Sequence, residues 1–161
     1  DVYKRQAQWR RAFLELGAVP TSPRCARAWT REILWEWQLT CLAGDAEAIV
    51  SELVANAVHA SAGLHQPAVR LTLAFNQGEL AILVSDSNPN LPRAQSPEAD
   101  AENGRGLLIV EALSDRYGSF PLRGGAAGKV MWSVLQQPGA TGVPADPQYD
   151  VSQGAGPSDR W

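Results

Sequence analysis

Residues 69–86 read VRLTLAFNQGELAILVSD, and this stretch decides the fold class. Apolar residues occupy alternate positions before Asn76 and again after Gly78, which is the period of a half-buried strand. The residues between the two runs are typical of a tight turn, so the stretch predicts an antiparallel hairpin. The second strand is predicted to end at Ser85 and Asp86.

Upstream of the hairpin the sequence predicts a strand followed by two helices. Residues 11–17 (RAFLELG) form a short apolar run. Residues 23–40 carry apolar residues at four-residue steps, and Ser22 followed by proline is a helix start signal. A second helix is predicted from Asp45, as its N-cap, to about residue 62.

Downstream of the hairpin the sequence predicts a loop, a helix and a second hairpin. Residues 87–103 contain three prolines and three asparagines without periodicity, as in a long functional loop. A helix is predicted over residues 104–114 and strands over residues 116–122 and 129–135. Helices gathered on one face of a mostly antiparallel mixed sheet make an α+β two-layer sandwich.

The 161 residues divide into one domain and two flanking segments. We expect the ordered domain to cover residues 9–135. Residues 136–161 contain four prolines and four glycines, so we expect a disordered tail. Residues 1–8 start with Asp rather than Met, and we expect them to be non-native or disordered.

Composition and charge exclude several classes of function. The formal net charge is -3, with no cluster of Lys or Arg, so we expect no direct binding of nucleic acid. No apolar run approaches the ~20 residues that cross a bilayer. Cys25 and Cys41 lie far apart without metal-ligand spacing, which favours reduced thiols in a cytoplasmic protein.

Three polar residues of the second predicted helix share one stripe. At about 100° per residue, Glu52, Asn56 and His59 lie within roughly 60° of one another. Amide and carboxylate oxygens can hold Mg²⁺, and a carboxylate can deprotonate a nucleophile. A polar edge on a surface helix is the alternative explanation.

Residues 104–107 read GRGL and come directly before an apolar helical run. Free N–H groups at a helix start, together with the positive charge of Arg105, favour phosphate. No Lys-Ser or Lys-Thr pair follows Gly106, so the stretch is not a Walker A loop. A plain helix-entry turn remains the alternative.

Asp86, at the predicted end of a strand, is a third candidate. A lone carboxylate there can accept a hydrogen bond from an exocyclic amine such as that of adenine. A turn-forming Asp is the alternative interpretation.

Taken together, these features resemble the Bergerat-fold (GHKL) ATP-binding family, and most closely its anti-sigma regulatory factors and serine-protein kinases. The resemblance covers about residues 10–135. It rests on four motifs: residues 51–58 (SELVANAV), 104–110 (GRGLLIV), 114–118 (SDRYG) and 128–132 (GKVMW).

The resemblance implies ATP and Mg²⁺ as cofactors and assigns roles to individual residues. Glu52 would be the general base, and Asn56 would bind Mg²⁺ and phosphate. Asp86 would bind the adenine amine, next to Asn88 and Asn90. The phosphates would lie against Gly104, Arg105, Gly106 and Leu107, with residues 87–103 as the ATP lid.

The chain departs from the family pattern at several positions. Asn88 and Asn90 stand where the wider family usually has glycines, and Asn tolerates positive φ better than most residues do. His59 follows Asn56 by three residues, whereas many of the kinases have a His four residues after the Asn. Val130 replaces a Thr of many relatives, so one water-mediated contact to adenine is missing.

The resemblance implies a serine/threonine protein kinase that acts on an anti-anti-sigma STAS-type partner or sequesters a sigma factor. The replacements at Asn88 and Asn90 motivate a second hypothesis, a non-catalytic ATP-sensing interaction module. The tryptophans Trp29, Trp35 and Trp37 are candidates for a homodimer or partner interface. An unrelated small hydrolase has little support, because the sequence has no GxSxG elbow.

Overall fold

The computed structural model describes residues 9–90 and 101–139, with the backbone alone described over residues 101–106. Within that part of the chain, five strands and three helices follow the predicted order of strand, two helices, hairpin, helix and hairpin. The strands are β1 (Arg10–Leu16), β2 (Val69–Asn76), β3 (Glu79–Asp86), β4 (Arg116–Pro121) and β5 (Lys129–Gln136). The helices are α1 (Ser22–Glu36), α2 (Ala43–Ala60) and α3 (Ala101–Leu113), and a 3-10 turn, Thr40–Leu42, joins α1 to α2.

The five strands form one sheet in the order β1-β2-β3-β5-β4. All four neighbouring pairs are antiparallel. The described strands therefore agree with the predicted, mostly antiparallel sheet, except that no neighbouring pair among them is parallel. β3 and β4 do run in the same direction, as expected for two strands joined by α3, but β5 lies between them and pairs with both.

The β2–β3 hairpin has the turn that the sequence predicts. Asn76 pairs with Glu79, leaving a two-residue loop. Gln77 and Gly78 have φ angles of 51° and 79°, and positive φ at both central positions matches the right-handed twist of the flanking strands.

The main core lies between the helices and one face of the sheet. Alternate residues of β2 and β3, such as Leu71 and Ile82, are fully buried against α2 residues such as Leu53. The opposite face of the sheet has its own buried cluster, to which no helical residue of the described segments belongs: Ala74, Ala81, Leu83, Val130, Trp132 and Val134. The predicted α+β sandwich with helices on one face is confirmed.

Helix α1 ends four residues before its predicted end, because the chain forms a Schellman cap. Gln38, with φ 59°, donates its N–H to the Trp35 carbonyl at 3.1 Å, and Leu39 donates to the Leu34 carbonyl at 2.8 Å. Leu34 and Leu39 are both buried, as is typical of this cap. Glycine usually occupies the left-handed position, so Gln38 gave no signal in the sequence.

The predicted helix starts are also shifted. Thr21 is the N-cap of α1, and the Ser22 hydroxyl instead donates to the Gly17 carbonyl at 2.5 Å. Helix α2 begins at Ala43, so Asp45 lies in its first turn rather than at the cap, where a carboxylate still interacts favourably with the helix dipole.

The domain boundaries need one adjustment. Gln136 is the last residue of β5 and not the first residue of a tail, and the next N–H, of Gln137, donates to the Gly78 carbonyl at 2.7 Å. The tail predicted beyond it falls almost entirely outside the described residues, as do residues 1–8. No helix of the described segments combines the length and apolarity needed to span a bilayer.

We predict that Leu53→Ala lowers the free energy of unfolding by about 2–5 kcal/mol, because it removes a side chain packed between α2 and the sheet. Chemical denaturation measures the change. Leu108→Ala is the matched control, since Leu108 is 62 % exposed and its loss should cost less than about 0.5 kcal/mol. Equal effects at the two positions would contradict the packing described above.

Candidate functional site

Helix α2 carries the predicted polar stripe at the margin of the core. Ile49, Leu53 and Ala57 are buried, as expected. Glu52 and Asn56 are half-buried, one turn apart, on the adjoining arc, whereas His59 is exposed. The helix therefore presents a carboxylate and a carboxamide to the same side.

Asp86 is the last residue of β3 and is almost fully buried, at 2 % exposure. Its cross-strand partner is Lys129, the first residue of β5. The Lys129 ammonium donates to Asp86 Oδ1 at 3.0 Å, and Lys129 itself is 6 % exposed. A buried carboxylate is thus matched by a buried cation, as burial of a charge requires.

Lys129 was not among the site residues predicted from the sequence. A signal was present, because Lys129 opens a strand that is buried along nearly its whole length, and a lysine in such a strand is almost never buried without a partner. The sequence alone did not indicate which acid it pairs with, since Asp86 lies 43 residues away.

Asn88 and Asn90 keep the shape of the chain after Asp86 by hydrogen bonding and not by positive φ. Neither residue is in the left-handed region, so the expectation that they replace glycine through that conformation is wrong. The Asn88 N–H donates to Asp86 Oδ1 at 2.8 Å, and the Asn90 N–H donates to Asn88 Oδ1 at 2.9 Å. These are two successive Asx-turns.

Asn88 also connects the end of β3 to helix α2. Its Nδ2 donates to the Ala60 carbonyl at 3.0 Å, and its own carbonyl accepts from Lys129 Nζ at 3.2 Å. Ala60 lies four residues after Asn56, so the two share one face of α2. The structure therefore brings Asp86, Asn88 and Lys129 together and links them to the helix that carries Glu52 and Asn56.

The two carboxylate oxygens of Asp86 differ in their contacts. The Asn88 N–H and the Lys129 ammonium both bond to Oδ1, and no residue of the described segments donates to Oδ2. A buried carboxylate oxygen of this kind is a better acceptor for an N–H group of a planar base than a water-exposed surface carboxylate is.

Gly128 allows β5 to begin directly beside Asp86. Its φ is 145°, and a Cβ at this position would lie 2.2 Å from the Asp86 carbonyl oxygen and 2.5 Å from Leu122 Cδ1. No side chain fits there without moving the backbone, so Gly128 determines how closely Lys129 can approach Asp86.

The predicted helix start at Gly104 is wrong, because α3 begins at Ala101. Gly104, Arg105 and Gly106 lie within the first two turns of the helix, and the side chain of Arg105 is outside the described residues. Leu107 is half-buried and packs against the main core. The phosphate role of this segment remains a prediction, and the predicted lid falls largely on residues 91–100, outside the described residues.

Residues that commonly bind tightly held metals do not cluster in the described segments. They contain no group of three or more His, Cys, Asp or Glu side chains placed to hold a metal ion. Cys25 and Cys41 are both exposed and free, in agreement with the prediction of reduced thiols.

We predict that Gly128→Ala destabilises the fold by at least about 3 kcal/mol, because it adds a backbone clash to an unfavourable φ. Thermal and chemical denaturation measure the loss. Gly124→Ala separates the two effects, since Gly124 has φ 75° but an added Cβ there would meet nothing within 4 Å; it should cost only about 1–2 kcal/mol. Similar losses in both variants would contradict the close approach at Asp86.

Comparison with known proteins agrees with the fold described above. The family model of the histidine kinase-like ATPase domain matches residues 16–132, from the end of β1 to the middle of β5. A search of curated proteins finds no match. The family match covers well over half of the chain, and we conclude that this protein belongs to the histidine kinase-like ATPase domain family and, by that membership, binds ATP.

Proposed function

We propose that this chain is an ATP-dependent serine/threonine protein kinase of the anti-sigma-factor type. In this role it binds Mg²⁺ and ATP, phosphorylates an anti-anti-sigma STAS-type partner and thereby controls transcription in the cytoplasm. The observation that carries the proposal is the buried Asp86 carboxylate, linked through Asn88 to the helix that presents Glu52 and Asn56.

We assign the binding of the adenine base of ATP to Asp86. Oδ2 accepts a hydrogen bond from the exocyclic amine, while the Asn88 N–H and Lys129 hold Oδ1 in place. Because Asp86 is 2 % exposed, water competes poorly for this contact, and an unmade hydrogen bond to a buried charge is costly.

The side-chain oxygen of Asn56 fits Mg²⁺ better than it fits a softer metal. Mg²⁺ prefers oxygen ligands and is usually held by one or two protein groups together with phosphate oxygens and water. The lack of a larger acidic cluster in the described segments is consistent with that mode. When bound, Mg²⁺ neutralises charge that develops on the transferred phosphoryl group.

Glu52 is assigned the proton transfer. Its carboxylate accepts the proton of the acceptor serine hydroxyl as the new oxygen–phosphorus bond forms, while the bond between the γ-phosphorus and the bridging oxygen breaks and ADP leaves. A positioned base of this kind contributes about 10²–10⁴-fold to a rate. Asn56, one turn further on, holds the nucleotide in register with Glu52.

A protein partner requires an accessible surface, and the tryptophans differ in this respect. Trp35 is 70 % exposed, whereas Trp29 and Trp37 are half-buried against the main core. Trp35 is therefore the tryptophan assigned to an interface with a sigma factor, a STAS-type protein or a second copy of the chain.

A non-catalytic ATP-sensing module is the second candidate function. It is favoured by the position of Gly104 and Gly106 inside α3, since a phosphate cradle needs backbone N–H groups that are free of helix bonds. In that case ATP binding would change partner affinity without turnover.

We predict that Asn56→Ala weakens binding of Mg²⁺-ATP by at least about tenfold, because a ligand to the charged phosphate and metal group is lost. Titration monitored by tryptophan fluorescence measures the affinity. Gln136→Ala is the control, because it removes a carboxamide at the opposite end of β5 and should leave the affinity unchanged. Unchanged binding by Asn56→Ala would refute the proposed site.

We predict that Glu52→Ala slows phosphoryl transfer by about 10²–10⁴-fold and changes the affinity for ATP by less than about threefold. The measurement is transfer of labelled γ-phosphate to a STAS-type protein from the source organism. Glu47→Ala is the matched control on α2, since Glu47 pairs with Arg31 at 2.5 Å and should have no effect. If the wild-type chain binds ATP but transfers no phosphate, the sensing module is the correct function.

A further inference from the structure

Lys129 uses only part of its hydrogen-bonding capacity within the protein. An ammonium group has three N–H donors. One donates to Asp86 Oδ1 at 3.0 Å and another to the Asn88 carbonyl at 3.2 Å. No acceptor takes the third donor among residues 9–90 and 107–139 or the backbone of residues 101–106.

The Lys129 ammonium lies close to the Oδ2 oxygen of Asp86, because it bonds to Oδ1 of the same carboxylate at 3.0 Å. Asp86 and Lys129 face each other across the β3–β5 pair, on the face of the sheet that packs against the helices, because Val84 and Met131 at the neighbouring alternate positions belong to the main core. Both side chains are more than nine-tenths buried. The pair therefore presents an acceptor and a charged donor next to each other in a dry environment.

An acceptor next to a donor is the complement of the edge of adenine. The 6-amino group of adenine donates, and the adjacent ring nitrogen N1 accepts. A base with a carbonyl at C6 and an N–H at N1, bound in the same orientation, would place acceptor against acceptor and donor against donor. The pairing therefore distinguishes these two kinds of purine.

We propose that Lys129 donates a hydrogen bond directly to N1 of the base while Asp86 accepts from the 6-amino group. Lys129 is thus a specificity-determining residue that, together with Asp86, distinguishes adenine from a purine with a carbonyl at C6. This inference rests on the proposed binding of ATP at Asp86. It also gives a reason for a lysine at a position where the bonds to Asp86 and Asn88 alone would leave one donor unused.

The test combines deletion of one ligand atom with deletion of one side-chain donor. We expect the wild-type chain to bind ATP about 10- to 100-fold more tightly than 1-deaza-ATP, which lacks the N1 acceptor. In Lys129→Met the two nucleotides should bind with about equal affinity, whatever the overall loss of nucleotide affinity relative to the wild type. Gln136→Ala should keep the wild-type ratio of the affinities for ATP and 1-deaza-ATP.

The ratio separates base recognition from a purely structural role. If Lys129 only stabilises Asp86, Lys129→Met weakens both nucleotides equally and keeps the wild-type ratio, which would overturn the inference. If Lys129→Met does not fold, Lys129→Gln serves in its place, because its uncharged, shorter amide can still bond to Asp86; its ratio should fall at least about fivefold below that of the wild type.

Two outcomes in the wild-type chain distinguish this inference from the proposed function. Equal affinity for ATP and 1-deaza-ATP overturns the role of Lys129 and leaves ATP binding at Asp86 intact. Failure to bind either nucleotide contradicts the proposed function itself, and the role of Lys129 with it.

Discussion

The buried ion pair between Asp86 and Lys129 is the interaction on which the candidate site depends. It joins the end of β3 to the beginning of β5 with an Nζ–Oδ1 distance of 3.0 Å, and Gly128 makes this approach sterically possible. Removing either partner would leave a buried charge uncompensated, which typically costs about 3–5 kcal/mol. The pair therefore holds the end of β3 to the beginning of β5 and also lies at the proposed adenine site.

Asn88 connects this end of the sheet to the helical layer. Through one side chain it accepts the Asn90 N–H and donates to the Ala60 carbonyl, so the loop after β3 is tied to the end of α2. The packing of α2 on the sheet in turn places Glu52 and Asn56 at the core margin, on the same face as Ala60. The carboxylate proposed to bind adenine and the polar groups proposed to bind the phosphates thus belong to one connected arrangement.

Much of this fold could be predicted from local patterns, and the exceptions have physical causes. The alternation in β2 and β3 and the turn at Gln77 predicted the central hairpin correctly. The predicted end of α1 is wrong because Gln38 adopts a left-handed conformation, which glycine usually occupies at the end of a helix. The start of α3 was misplaced because the segment before Gly104 has no periodicity. Asp86 was found from its place at a strand end, whereas its contacts with Lys129 depend on strand register across 43 residues, which a single sequence does not show.

Binding of the 6-amino group of ATP by Asp86 is the central claim, and one comparison of ligands tests it without altering the protein. The measurement is the affinity of the wild-type chain for Mg²⁺-ATP and for the Mg²⁺ complex of purine riboside triphosphate, which lacks only that amine. We expect at least about tenfold weaker binding of the second nucleotide, the loss typical of one hydrogen bond to a charged group. Equal affinity for the two nucleotides would contradict the claim.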